Sequence, residues 1–183
     1  IIEVDSTVIF AGSMPEEPMF TSCLSIIKDA MAKGVDVVID TSGTALARII
    51  ELGNIYMIKP NLEELSHLLG KTFGNDLSSI VKDARSLCDR VQIVLVSLGE
   101  NGALAVTKDK AFHCKAKPSD HKVVNTVSCG DYLLAGFISE ADKDLCKQLQ
   151  TAVKLATARA WGLTENKQWS MVSKEIDVEI HLL

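Results

Sequence analysis

A chain of 183 residues, 47% hydrophobic and 23% charged, is long enough for one well-buried domain and short for two. Its 19 basic and 24 acidic residues give a net charge of −5 with no Lys/Arg cluster, which argues against nucleic acid or an anionic membrane as a partner. Five scattered cysteines without C-x-x-C spacing argue against a disulfide framework or a zinc site and fit a reducing cytoplasm, and no apolar run reaches transmembrane length.

Short β-branched runs alternate with longer segments of helical period, the pattern of β-α units on a largely parallel sheet. The first strand is read at 8–11 and the first helix at 18–33. A strand at 35–40 leads to a helix at 44–52, a strand at 55–59 to a helix at 61–69, and a helix at 77–91 to a strand at 93–97. Helices on both faces of such a sheet let its strands be apolar throughout. After Ser97 the pattern changes, and 103–107 and 111–115 read as short antiparallel strands joined by the polar turn Lys108-Asp109-Lys110. Two helices follow, at about 130–141 and 143–161, and a strand at 175–182 ends the sequence. No repeat, low-complexity tract or linker intervenes, so residues 1–183 are read as a single domain.

In open parallel sheets, ligands lie beyond the carboxyl ends of the strands. Four short motifs fall there: Gly12-Ser13-Met14-Pro15, Asp40-Thr41-Ser42-Gly43, Lys59-Pro60-Asn61-Leu62-Glu63-Glu64 and Ser97-Leu98-Gly99-Glu100-Asn101-Gly102. Each also has a plain structural reading. The first is a strand-to-helix turn, and Asp40 with Thr41 or Ser42 caps the next helix. Asn61 and Glu64, three apart at a helix start, fit a capping box as well as a pair holding a magnesium-bound water or phosphate-bound metal. Ser97, Gly99 and Gly102 could let backbone approach nucleotide phosphates, while Asn101-Gly102 is equally a tight-turn dipeptide. The chain has neither a G-x-x-x-x-G-K-[ST] P-loop nor the G-x-G-x-x-G fingerprint that a nicotinamide oxidoreductase would carry. His67, His113, His121 and His181 have no ligand-spaced partners, and Trp161 and Trp169 are read as packing of the C-terminal region.

The most informative stretch is Val124-Asn125-Thr126-Val127-Ser128-Cys129-Gly130-Asp131, entering a helical run. Small residues at 128–130 let backbone amides converge at a helix N-terminus, where unpaired N–H groups and the macrodipole favour anionic oxygen. Asp131, in the first turn, could take a proton from a substrate hydroxyl while Ser128, Cys129 and Gly130 stabilise charge on a transferring phosphoryl group. The plain alternative is a carboxylate that only complements the dipole, with Cys129 filling a tight turn.

In this order and spacing the motifs resemble the ribokinase-like (PfkB) carbohydrate kinases. Asn125 to Asp131 followed by Ala135-Gly136 is similar to the family signature D-T-x-G-A-G-D-x-x-x-A-G, Asn61 to Glu64 to its N-x-x-E magnesium motif, and Ser97 to Gly102 to its S-x-G-x-x-G nucleotide loop. The resemblance implies a ribokinase-like three-layer α/β sandwich with a largely parallel central sheet and a local antiparallel hairpin. It implies Asp131 as base, an anion hole at 128–130, and ATP held by Lys59, Ser97, Gly99, Glu100, Asn101, Gly102 and Gly130. Mg2+ would lie at Asn61 and Glu64. Gly12 to Pro15 and Asp40 to Gly43 look most like the branch acting on sugar phosphates, 1-phosphofructokinase and tagatose-6-phosphate kinase, with fructose 1-phosphate the favoured acceptor. The implied partners are small molecules, with a homodimer open as the assembly. Two departures stand out: Ser128-Cys129 replaces the usual Gly-Ala, and Ala158-Arg159 lies on a helix that is commonly Gly-rich near adenine. The first residue is Ile1, and the N-terminal region that supplies most sugar contacts in the family is not matched, so the expectation is a C-terminal nucleotide-binding and catalytic portion. A non-catalytic nucleotide-binding module is the competing reading.

Overall fold

The computed structural model describes residues 6–74, 76–164 and 168–183. The chain runs β1 (Thr7–Ala11), α1 (Met19–Ala32), β2 (Asp36–Asp40), α2 (Gly43–Ile50), β3 (Ile55–Ile58), α3 (Leu62–Leu69), α4 (Leu77–Arg85) and β4 (Val91–Ser97). It continues with β5 (Ala103–Val106), β6 (Ala111–Ala116), α5 (Cys129–Ile138), α6 (Leu145–Ala160), α7 (Trp169–Glu175) and β7 (Val178–Leu182). The strands follow the sheet order β1 to β7; β1 to β4 pair in parallel, and β6 pairs with β7 antiparallel. The expected α/β class with a mostly parallel sheet is what the chain adopts.

By contact, the chain divides into two compact units, Ile1–Val96 with Val106–Asp109, and Ser97–Ala105 with Lys110–Leu183. In the first, β2 buries Val37, Val38 and Ile39 in succession, as a parallel strand covered on both faces should. The helix α2 presents Leu46, Ile49 and Ile50, spaced i, i+3, i+4, as its buried face. Arg48 of the same helix pairs with Glu17 at 2.8 Å and lies over the Phe20 ring at 4.5 Å.

Two expectations need correction. The helix read at 77–91 ends at Arg85, because Ser86, Leu87, Cys88 and Arg90 donate three residues back in tight turns and Val91 opens β4 instead. The strand read at 175–182 begins only at Val178, preceded by α7. In that helix only Val172 is buried; it and Ile176 join Ala158, with Trp161 and Leu163 packed alongside. Trp161 is therefore packing as read, whereas Trp169 is 37% exposed.

In the second unit, α5 lies directly on α6. A Cβ at Gly136 would stand 2.8 Å from Ala152 Cα and 3.0 Å from the Thr151 carbonyl oxygen, so the two backbones meet where only glycine fits. Lys154 Nζ donates to the Ser173 carbonyl at 2.9 Å and ties α6 to α7. The five cysteines are free thiols, and burial pushes Cys88 up to about 11 and Cys114 to about 12.

Gly136→Ala tests the helix contact. Helix propensity favours Ala by about 1 kcal/mol, but backbone atoms cannot yield as a side-chain tip can, and overpacking costs roughly 1–3 kcal/mol. A fall in thermal midpoint of about 2–6 °C is expected by calorimetry; an unchanged or higher midpoint would contradict the close approach.

Candidate active site

The first unit carries the turns that follow β1, β2 and β3. Gly12 N donates to the Asp40 carbonyl at 2.9 Å, and Lys59 N to the Ile39 carbonyl at 3.1 Å, so these strand ends are stitched edge to edge. Asp40 does not cap α2, whose N-cap is Ser42 with no side-chain capping bond. Its carboxylate instead reaches Lys59 Nζ at 3.0 Å, with the two side chains only 16% and 8% exposed. A lysine with so little access to water keeps its charge in place by such a partner. Met14, Pro15, Thr44 and Arg48 are among the residues lining a cavity of about 270 Å3 beside these turns.

Asn61 and Glu64 form the capping box. Glu64 N donates to Asn61 Oδ1, and Asn61 N to Glu64 Oε2, both at 2.8 Å. The box engages one carboxylate oxygen and leaves Oε1 outside it. Among the described residues no cluster of three or more His, Cys, Asp or Glu side chains gathers. One carboxylate oxygen fits the sparse protein ligation of Mg2+, which keeps waters and binds phosphate oxygens, better than it fits a closed metal cage.

In the second unit, the loop after β4 turns through one 3-10 turn, Gly99–Asn101. Gly102 has φ +82°, and a Cβ there would lie 2.0 Å from the Cys114 carbonyl oxygen, so this glycine serves the approach to β6. His113 Nε2 donates to the Asn101 carbonyl at 2.8 Å, and Lys115 Nζ to Asn101 Oδ1 at 3.2 Å. Ser97 ends β4, while Gly99 and Glu100 are exposed at the tip of the loop.

The 124–131 loop hangs from the end of α6. Val124 N and Asn125 N both donate to the Ala160 carbonyl, at 2.8 and 3.3 Å, and the His121 ring stacks on Trp161 with centroids 5.0 Å apart. Gly162, at φ +71°, leaves room for Val124, whose Cγ2 would lie 2.9 Å from an added Cβ. Arg159 Nε donates to the Val127 carbonyl at 3.2 Å, and its guanidinium sits 5.8 Å from the Tyr132 ring centre. Within the loop, Val127 N bonds Asn125 Oδ1 at 2.8 Å, closing an Asx turn.

Not every amide of the expected anion hole faces outward. Cys129 N turns back to the Thr126 carbonyl at 3.3 Å, whereas the amides of Ser128, Gly130 and Asp131 have no acceptor among the described residues. Three unpaired donors thus precede the first intrahelical bond of α5, Tyr132 N to the Ser128 carbonyl at 3.0 Å. Asp131 is exposed, and its carboxylate caps no amide and pairs with no cation among the described residues. Burial raises the Cys129 thiol above its ordinary range, opposed by the Arg159 charge, so it is not an activated nucleophile. The Arg159 contact with the Val127 carbonyl lies beyond the motif reading; its only sequence signal is departure from a small-residue pattern.

The profile of the pfkB family carbohydrate kinases matches residues 2–167. The chain belongs to that family. It is 28% identical over 179 residues to tagatose-6-phosphate kinase of Staphylococcus epidermidis, covering 93% of this chain and 57% of the relative. It is 32% identical over 155 residues to 1-phosphofructokinase of Xanthomonas campestris pv. campestris, covering 82% and 48%. Phosphofructokinase-2 of Escherichia coli, solved in complex with substrates and products, superposes with a TM-score of 0.80 at 26% identity over 87% of this chain and 52% of that one. The chain therefore spans about half the length of the relatives it matches.

This PfkB-family chain differs from the signature at Ser128, and the structure gives the consequence. Ser128 has φ +65° and ψ +7°, the left-handed region where glycine is at home. Holding a non-glycine residue there costs about 1–2 kcal/mol, offset by roughly 0.5–1 kcal/mol of chain entropy that glycine would lose on folding. Ser128→Gly is therefore expected to raise the thermal midpoint by about 1–3 °C; a lower midpoint would show that the left-handed turn is not a source of strain.

Proposed function

We propose that this chain supplies the nucleotide-binding and catalytic groups of an ATP- and magnesium-dependent sugar-phosphate kinase. The observation that carries this reading is the start of α5, where an unengaged carboxylate, Asp131, directly follows unpaired amides at Ser128 and Gly130. Amides so placed bind anionic oxygen, and a carboxylate beside them is positioned to take the proton of an attacking hydroxyl.

In this reading Asp131 accepts the proton of the sugar hydroxyl as that oxygen attacks the γ-phosphorus of ATP, and the bond to the β-phosphate oxygen breaks. The amides of Ser128 and Gly130 take up charge on the equatorial oxygens. A carboxylate is a weak base, sufficient where the transition state is loose and positioning dominates. Lys59, held by Asp40, and the Ser97-Gly99-Glu100-Asn101-Gly102 turn serve the nucleotide phosphates. Asn61 and Glu64, through the oxygen outside the capping box, are the residues that would hold Mg2+, which supplies charge neutralisation at the phosphates.

Fructose 1-phosphate is the acceptor we favour, giving fructose 1,6-bisphosphate. Tagatose 6-phosphate is the alternative, since the matched relatives include kinases of both kinds. Five free thiols without a disulfide fit a reducing, cytoplasmic setting, and no helix among the described residues is long and apolar enough to cross a membrane.

The test is coupled ADP release by the protein with ATP, Mg2+ and a panel of phosphorylated and unphosphorylated ketohexoses. Preference for fructose 1-phosphate is expected, and Asp131→Asn should lower turnover by about 10²–10⁴-fold with ATP affinity kept. Near-normal turnover by that variant would remove Asp131 as base. ATP binding without turnover on any acceptor would favour a non-catalytic module.

A further inference from the structure

The two departures from the family pattern, Ser128 and Arg159, meet at one peptide group. In a trans peptide the carbonyl of Val127 and the N–H of Ser128 point in opposite directions. Arg159 Nε holds that carbonyl at 3.2 Å, which turns the Ser128 N–H away from α6, where it finds no acceptor among the described residues. Rotating the same peptide plane by half a turn would bring φ of Ser128 from +65° to the negative side and relieve the left-handed strain. The flipped peptide would present the Val127 carbonyl oxygen where the N–H now stands, and an oxygen dipole there repels an anion. Local stereochemistry therefore favours the wrong orientation, and the guanidinium opposes it. The flanking contacts, from Val124 and Asn125 to Ala160 and from His121 to Trp161, fix the loop's entry but do not reach the 127–128 peptide.

We propose that Arg159 is a positioning residue for phosphoryl transfer: it locks the Val127–Ser128 peptide with its N–H facing the transferring group, and thereby makes serine workable at a left-handed position. This rests on the kinase reading above. With glycine at 128 both peptide orientations are sterically open, so the left-handed one carries no penalty and the hold matters less.

The test is a double-mutant cycle with Arg159→Met, which removes every side-chain donor, Ser128→Gly and their combination. With ATP, Mg2+ and the preferred sugar phosphate, Arg159→Met is expected to lower kcat at least 10-fold with KM for ATP changed less than 3-fold. In the Ser128→Gly background the same replacement should cost no more than 3-fold. Equal losses in both backgrounds, or a loss confined to KM, would overturn the proposal. Arg159→Gln, whose amide N–H stands the same number of bonds from the backbone as Arg Nε and so keeps a donor for the Val127 carbonyl, should recover most of the lost kcat and serves if the methionine variant folds poorly; no recovery counts against the lock. A second readout needs no turnover: in Arg159→Met, hydrogen exchange at the Val127 and Cys129 amides, both bonded inside the loop, should quicken at least 10-fold while the rest of α5 is unchanged. If no acceptor is phosphorylated by the parent, the kinase reading fails on its own and exchange still decides the lock; unaltered exchange would overturn it.

Discussion

Ala160, the last residue of α6, accepts hydrogen bonds from two successive amides of the 124–131 loop, and that seat fixes the entry of the chain that leads into α5. A helix C-terminus leaves carbonyls without intrahelical partners, so a loop that brings N–H groups to them satisfies both sides. The seat is itself braced. Ala158 packs with Val172 and Ile176, Trp161 packs against that cluster and stacks on His121, and Lys154 ties α6 to α7. Gly136 lets α5 lie against α6 at backbone distance, so the helix that carries Asp131 and the helix that carries the loop register against each other. Small rotations of one would displace the other, because the contact has no side chain to absorb them.

The first unit prepares its groups differently. There the strand ends are joined by backbone bonds between the Gly12, Asp40 and Lys59 turns, and a nearly buried ion pair fixes Lys59. Breaking a buried pair by removing one member costs more than the pair contributes, since the other charge is left without water or partner. Asp40 and Lys59 are thus best regarded as one unit. Glu64 is placed with similar economy: one oxygen finishes a capping box and the other is left over, so the helical cap and the candidate metal ligand are the same side chain.

What the sequence made legible was whatever depends on neighbours in the chain. The β-branched runs gave β2 and β3 within a residue, and the Asn61-x-x-Glu64 spacing gave a capping box that the structure forms. The cause of two glycines lies outside their own motifs. Gly136 and Gly102 are needed for close approach to α6 and β6, partners distant in sequence. Asp40 resembled a cap because Ser42 and Gly43 follow it, and its partner, Lys59, became visible only once β2 and β3 lay side by side. The helix α7 went unread because one buried residue in seven gives little periodicity. That Cys129 turns its amide inward, while Ser128 and Gly130 do not, depends on a φ of +65° that a serine at 128 does not announce.

Under the proposed function, the amides of Ser128, Gly130 and Asp131 at the start of α5 receive the transferring phosphoryl group. The direct measurement is an amide chemical-shift titration of the 15N-labelled protein with ADP, Mg2+ and aluminium fluoride, a mimic of the group in flight. The largest perturbations are expected on the amides of Ser128, Gly130 and Asp131, with Cys129 moved less because its N–H is already bonded to Thr126. Nucleotide binding that perturbs other residues and leaves those three amides where they were would contradict it.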